Sequence, residues 1–407
     1  MGRKIVITKY HSKMFLMDFS ESVCTGISVL ADSEKTLLGN IYIGRVENVV
    51  SNINAAFIEI QKGIKCYYSL QENKKHIFLN RKNNKTVNVG DKLLVQVCRE
   101  PIKTKPATVT SKIEIPGKFA VLSSDVEGVL ISSKIKKSSN AQALKECIEK
   151  ELTDKNVEAG IIVRTNAASV SMEIVLKEIN QLVDKYNKVL QRAEFGMFYE
   201  KLNSGIPEYC SYINDIPEKD LEEIVTDNKD VYDTIVANVP EIDMNKIRFY
   251  DDELLELYKL YSFETIIKHA TDRKVWLKSG GYLVIDQTEA MTVIDVNSGK
   301  QTVKKRKADT DAVMEDAFFK VNMEAAEELS RQLRMRNLSG IIIVDFINMK
   351  LEDHNQKLLS AMSHLLKKDP VTASVIDITK LGLMEITRKN QGKCLAEQLH
   401  AKSVSEE

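Results

Sequence analysis

The sequence predicts a multidomain α+β protein, and three observations carry that prediction. The chain has 407 residues, 43% of them hydrophobic, which is enough for several cores that hold without staples. Residues 35–112 read as short strands separated by turn residues, whereas later segments alternate apolar strand-like runs with long helical periods. The apolar runs at 280–297 and 340–346 are separated by a helical stretch, as in a strand–helix–strand unit.

The first elements are two strand-like runs, Lys4–Ile7 and Lys13–Asp18, with no obvious partner nearby. In 35–112 the strand candidates are Asn40–Val50, Ala55–Glu59, Lys65–Leu70 and Lys92–Arg99, split by turn signals at Ser51-Asn52, Lys62-Gly63 and Asn88–Asp91. Close spacing and basic loops suggest a small closed barrel. An OB fold is such a barrel, and it holds single-stranded nucleic acid on a cationic groove with aromatic faces. Phe57, Tyr67 and Tyr68 are the available aromatics, and because Tyr67 and Tyr68 are consecutive in a strand they point to opposite faces.

Between 113 and 203 the pattern is mixed, with strands at Lys118–Leu122 and Gly160–Val163 and helices over Ala141–Leu152 and Ser169–Arg192. Gly160–Val163 runs into Arg164-Thr165-Asn166, a guanidinium, a hydroxyl and an amide at a strand end. That trio suits a phosphate, although for a lone Arg-Thr a salt bridge or a helix cap is the default role. Residues 204–270 read as a short strand (Thr234–Val239) with helices at Asp251–Leu260 and Phe263–His269, and they are the proposed partner of the N-terminal hairpin.

Charge sums to zero, 58 Lys+Arg against 58 Asp+Glu, which excludes a protein basic throughout. Locally it is uneven. Residues 74–105 hold nine bases against two acids, and residues 207–257 hold fifteen acids against four bases. The six cysteines lie far apart without a Cys-x-x-Cys pair, which argues against a zinc ribbon or disulfide scaffold. The apolar stretch Met14–Met17 is too short for a signal peptide and no run reaches membrane-spanning length, so the sequence predicts a cytoplasmic protein without membrane contact.

The chemistry concentrates in 280–346. One apolar run ends in Asp295-Val296-Asn297-Ser298, and another, Gly340–Phe346, contains Asp345 at its end. Two acids at the ends of buried-type strands need a counter-ion, a proton or a partner. They could cap helices, pair with Arg273 or Arg331, or converge on a hard cation such as Mg²⁺, which takes one or two carboxylates and leaves other positions to water and phosphate. Asn297, two residues on, shares the face of Asp295 and could orient it. The loop Lys300, Lys304, Lys305, Arg306, Lys307 has five bases and no acid, and it could hold a polyanion beside the ion. A metal-dependent nuclease is the leading chemical reading.

These residues resemble the ribonuclease E/G endoribonucleases over nearly the whole chain. The resemblance rests on Gly39-Asn40-Ile41-Tyr42-x-Gly44-Arg45-Val46, Ala55-Ala56-Phe57, Ile162-Val163-Arg164-Thr165, Gly280-Gly281 through Ser298, Asn322–Glu328, Arg331–Arg334, Gly340–Phe346 and Gly382–Glu385. It implies a split RNase H-like subdomain (1–34 and 204–270) with an inserted S1-type OB barrel (35–112) and 5′-sensor (113–203). A DNase I-like α/β nuclease subdomain (271–392) and a tail (393–407) follow. It implies Asp295 and Asp345 as Mg²⁺ ligands, with Mn²⁺ as an alternative, and Asn297 as the residue positioning Asp295 or the scissile phosphate. Arg164 and Thr165, with Gly117 and Val121 beside them, would read a 5′-monophosphate. Phe57, Tyr67 and Lys105, together with Lys300, Lys304 and Lys305, would hold single-stranded RNA.

The substrates so implied are rRNA precursors and mRNA. Three departures bear on the resemblance. No Cys-Pro-x-Cys zinc link follows the nuclease region, so a homodimer would pair without zinc. Asn348 stands where the family has a second acid after Asp-Phe-Ile, and Lys380-Leu381 replaces an arginine and an aromatic. The alternative is a non-catalytic RNA-binding protein on the same scaffold.

Overall fold

Along Ala55–Gln61 buried residues alternate with half-buried ones from Ala56 onward, the pattern of a strand with one face in a core. That core is a closed barrel. Its strands follow the order Ile41–Val50, Ala55–Gln61, Ile64–Ser69, Thr108–Thr110 and Lys92–Arg99, and the last pairs back onto the first. Tyr42, Val46, Ile58, Tyr68, Leu93, Val95 and Val97 fill the interior. Four of the five strands are the predicted ones; Thr108–Thr110 has only three residues and carries no periodic signal. It closes the barrel by pairing parallel to Ile64–Ser69 and antiparallel to Lys92–Arg99.

The computed structural model describes residues 2–30, 36–81, 86–101, 105–132, 135, 141–155, 157–239, 242–299, 311–390 and 392–400. The chain divides into two units. One comprises Met1–Leu30, Glu222–Lys229 and Ile247–Glu407, and the other Ala31–Leu221 and Asp230–Lys246.

The unit that holds the barrel also holds a four-stranded sheet in the order Val129–Ile131, Gly160–Val163, Ala120–Ser123, Glu114–Pro116. The helices Ala141–Asp154 and Met172–Phe195 share its core through Leu144, Ile148, Val175, Ile179, Leu182 and Val183. The long helix begins at Met172 rather than Ser169, because Thr165–Ser169 winds as a 3₁₀ turn. Thr234–Val239, expected as a strand, lies mostly in the helix Lys229–Asn238. Val231 and Ile235, four residues apart, are its buried face, and this helical spacing overrides the β-branched composition.

The other unit begins with a five-stranded sheet in the order Ile247–Phe249, Leu221–Thr226, Arg3–Tyr10, Lys13–Ser20, Val23–Leu30. The N-terminal hairpin therefore pairs with the acidic segment, as its missing partner required. The expected helix Asp251–Leu260 shrinks to Leu257–Leu260. Asp252 Oδ1 accepts the backbone N–H groups of Leu254 (2.8 Å) and Leu255 (3.3 Å), a local turn that competes with the helix.

The remaining sheet has six strands in the order Lys274–Trp276, Tyr282–Gln287, Met291–Asn297, Gly340–Asp345, Leu383–Arg388, Ala373–Ile378. Met291–Asn297 and Gly340–Asp345 run parallel, joined through the helix Asp311–Met335, so they form a βαβ unit. That helix and Glu352–Leu366 bury Ile294, Val296, Ile342 and Val344 with Ala325, Leu329, Leu333, Leu358 and Met362. They cover one face of the sheet. On the other face Met291, Val293, Asp295, Ile341 and Asp345 are exposed.

Candidate active site

The register of the parallel pair places Asp295 directly opposite Asp345. In-register neighbours on adjacent strands project to the same face with backbones about 4.8 Å apart. Both acids are exposed, which corrects the expectation of buried strand-end carboxylates. The runs around them are apolar on both faces, so they imitate fully buried strands. The alternative partners are otherwise engaged. Arg273 forks onto Asp286 at 2.6 and 2.7 Å, and Arg331 forks onto Glu328 at 2.9 and 2.7 Å. Asn297 Nδ2 donates to Asp295 Oδ2 at 2.6 Å, which fixes the carboxylate as the two-residue spacing predicts.

The helix Asp311–Met335 holds the loops around this pair. Asn322, fully buried, accepts the Ile347 N–H at 3.0 Å and donates to the Ile347 carbonyl at 2.8 Å, gripping the chain just beyond Asp345. Glu324 accepts the N–H groups of Lys278 (2.6 Å) and Ser279 (3.1 Å). Glu315 accepts that of Leu351 at 2.9 Å, and the backbone N–H groups of Leu351 and Lys350 hold its carboxyl below its ordinary value. Glu315 and Asn322, seven residues apart, share one face of the helix, and Glu324 staples from the opposite one. Gly299 adopts φ +64°, and a Cβ there would sit 2.2 Å from the Gly280 carbonyl oxygen, so the chain leaving the acid strand passes flush against Gly280-Gly281.

Asn348 and the turn Thr379–Gly382 meet at this end of the sheet. A Cβ on Gly382 would lie 3.3 Å from Asn348 Oδ1, and the strand after that turn sets Leu383 opposite Asp345. Lys380 and Leu381 on the turn are exposed, Leu381 strongly so. Lys300, Lys304 and Lys305 lie outside the described residues.

In the barrel, Phe57 and Tyr67 are register partners on adjacent strands, and their half-buried rings meet edge to face at 6.3 Å. Tyr68 takes the inward position, its hydroxyl 2.6 Å from Ser111 Oγ and 2.7 Å from His76 Nδ1. Lys105 is exposed two residues before Ala107, whose carbonyl accepts the Tyr67 N–H at 2.8 Å. The structure therefore brings the three predicted barrel residues to one neighbourhood.

Arg164 and Thr165 stand at the end of Gly160–Val163. The Arg164 N–H donates to the Phe119 carbonyl at 2.7 Å, so the Gly117–Phe119 turn adjoins them, and Val121 sits half-buried on the next strand. Arg164 Nη1 is paired with Asp215, and Thr165 Oγ1 lies 2.9 Å from Ser132 Oγ. Beneath the turn is Glu178, whose two oxygens accept the N–H groups of Lys118 and Phe119, the latter at 2.7 Å. Burial pushes the Glu178 carboxyl up, against the backbone donors and Arg164. A Cβ on Gly117 would meet Glu178 Oε1 at 2.2 Å, so glycine is needed there for this close approach.

Glu178, Asp215, Ser132 and the stapling acids were not legible as site residues. Glu178 sits on the apolar face of its helix, where the period of its neighbours masks it. Asp215 lies distant in sequence, inside a run of acids with no feature to single it out.

Residues 114–391 match the ribonuclease E/G family. The chain is 32% identical to ribonuclease G of Escherichia coli (strain K12) over 377 residues, 89% of this chain and 75% of that protein. It is 29% identical to ribonuclease G of Haemophilus influenzae over 385 residues, 91% of this chain and 76% of that one. It is also 30% identical to ribonuclease E of Nostoc sp. over 411 residues, 98% of this chain and 57% of that one.

Proposed function

The chain belongs to the ribonuclease E/G family, and from that premise we propose that it is a Mg²⁺-dependent endoribonuclease of RNA processing and mRNA decay, cutting single-stranded RNA at Asp295 and Asp345. The observation that carries this is the register that sets the two carboxylates side by side on an open sheet face, with Asn297 bonded to one of them. The donor set fits a hard cation: two carboxylates and no nitrogen or sulfur, leaving room for water and phosphate oxygens. Among the described residues no group of three or more His, Cys, Asp or Glu side chains is arranged to hold a metal. Mn²⁺ meets the same requirements.

When bound, the ion supplies neutralisation of phosphate charge and a more acidic water. The chain's own residues do the rest. Asp295 and Asp345 hold the site, Asn297 fixes the Asp295 carboxylate, and Asn322 holds the backbone after Asp345. Lys380 adds positive charge for the RNA backbone. Cleavage leaves 5′-phosphate and 3′-hydroxyl ends.

In the same reading the five-stranded sheet is the RNase H-like part and the six-stranded one the DNase I-like part. Phe57, Tyr67 and Lys105 grip single-stranded RNA, and the enzyme works in the cytoplasm. Arg164 and Thr165 favour a 5′-monophosphate, which shares or displaces the Asp215 contact on the guanidinium.

The test is cleavage of an end-labelled single-stranded RNA with and without Mg²⁺. Asp295→Asn and Asp345→Asn should each abolish cleavage and leave RNA binding intact. Metal-dependent cutting retained by both variants would overturn the assignment.

A further inference from the structure

The open face of the six-stranded sheet carries an aromatic pair in the strand rows beside the acids. Trp276, the chain's single tryptophan, lies opposite Tyr282, which lies opposite Asn297. Lys274, two residues before Trp276, lies opposite Val284, which lies opposite Asp295. Val275 between them is fully buried, so Lys274 and Trp276 both face outward. Two strand spacings, about 10 Å, separate Trp276 from the strand of Asp295 and Asn297.

Trp276 is 61% exposed. An indole left this open forgoes one of the largest burial gains a side chain offers, and nothing in the core requires it there. The Trp276 and Tyr282 rings are 5.2 Å apart and tilted by 60°. Lys274 Nζ lies 4.0 Å from the Trp276 centroid and 3.4 Å from that of Tyr282. The space between the rings is thus filled by the chain's own ammonium, which argues against a cage for a cationic ligand. What remains is an exposed indole surface next to a fixed positive charge. That combination suits a nucleobase with its phosphate: the base stacks on the ring and the phosphate meets the lysine.

We propose that Trp276, backed by Tyr282 and Lys274, is a stacking site for a base of single-stranded RNA close to the scissile phosphate. The proposal rests on the reading of Asp295 and Asp345 as the cleavage site. It adds a base-contacting subsite on the nuclease sheet itself, apart from the barrel aromatics.

Because there is one tryptophan, indole emission reports on this position alone. The full chain is titrated in EDTA with a short unstructured RNA, and in parallel with an abasic ribose-phosphate oligomer of the same length, while anisotropy of labelled RNA follows binding. The RNA should quench the emission saturably, at the concentrations at which anisotropy rises, and the abasic oligomer should not. In Mg²⁺-dependent cleavage, Trp276→Ala should raise KM about tenfold with kcat little changed, Trp276→Phe should restore most of the loss, and Trp276→Leu should not.

Binding by anisotropy without quenching would overturn the stacking site and leave the ribonuclease reading standing. Equal quenching by the abasic oligomer, or an unchanged KM in Trp276→Ala, would overturn it too. Failure of the chain to bind RNA at all would overturn both.

Discussion

Asn322→Ala removes the grip on the loop after Asp345 without touching either acid. The wild-type amide is fully buried and makes two bonds to Ile347, at 3.0 and 2.8 Å. Each is worth about 1 kcal/mol net, and the stranded backbone groups add desolvation cost, so the variant should lose about 2–3 kcal/mol of stability. The larger effect should be functional. Groups that orient metal ligands from behind typically carry about 10–100-fold in affinity or activity. The half-saturating Mg²⁺ concentration for cleavage should therefore rise at least about tenfold. Cleavage is assayed across a Mg²⁺ series at a temperature where the variant is folded, with urea unfolding in parallel. Barrel-dependent RNA binding without metal should stay at the parent value. Urea and Mg²⁺ midpoints that both match the parent would refute the stapling role.

Four further outcomes are expected. Tyr67→Ala should weaken RNA binding about tenfold, and Lys105→Ala should lower the salt slope of binding by about one charge, both without altering Mg²⁺ dependence. Equal binding by the Tyr67 variant would remove the barrel from the RNA path. Arg164→Ala should cancel any preference for 5′-monophosphorylated over 5′-hydroxylated RNA, and an unchanged ratio would disprove the pocket. Because burial raises the Glu178 carboxyl above its ordinary value, its contribution to stability is full below about pH 4.5 and is lost as pH rises through the folded value. The stability of the parent relative to Glu178→Gln should fall as pH rises above about 4.5; a constant or growing difference in denaturation midpoints would contradict this.

The acids themselves were legible because each ends an apolar run, and the Asp295–Asn297 spacing gave their shared face. Their side-by-side register was not, because it depends on how the helix Asp311–Met335 returns the chain, and no local pattern encodes that. Their exposure was misread for a specific reason: Met291, Val293 and Ile341 are apolar residues on the open face, so the strands look buried on both sides. The barrel was readable from four strands of six to ten residues, whereas its closing strand is too short to show a period. The sequence motif Asn322–Glu328 pointed to the family without saying why. Asn322 and Glu324 turn out to be loop staples, a role visible only once their backbone partners are in place. Trp276 gave no signal, since one aromatic in a three-residue strand belongs equally to a core or a surface.

The central claim is that Asp295 and Asp345 hold one ion together. Mg²⁺ titration calorimetry on the parent, Asp295→Asn, Asp345→Asn and the double variant tests it without relying on cleavage. A shared ion predicts that each single variant loses nearly all the affinity and the double loses little more, a strongly non-additive cycle. Losses that simply add, or a single variant that binds as the parent does, would contradict it.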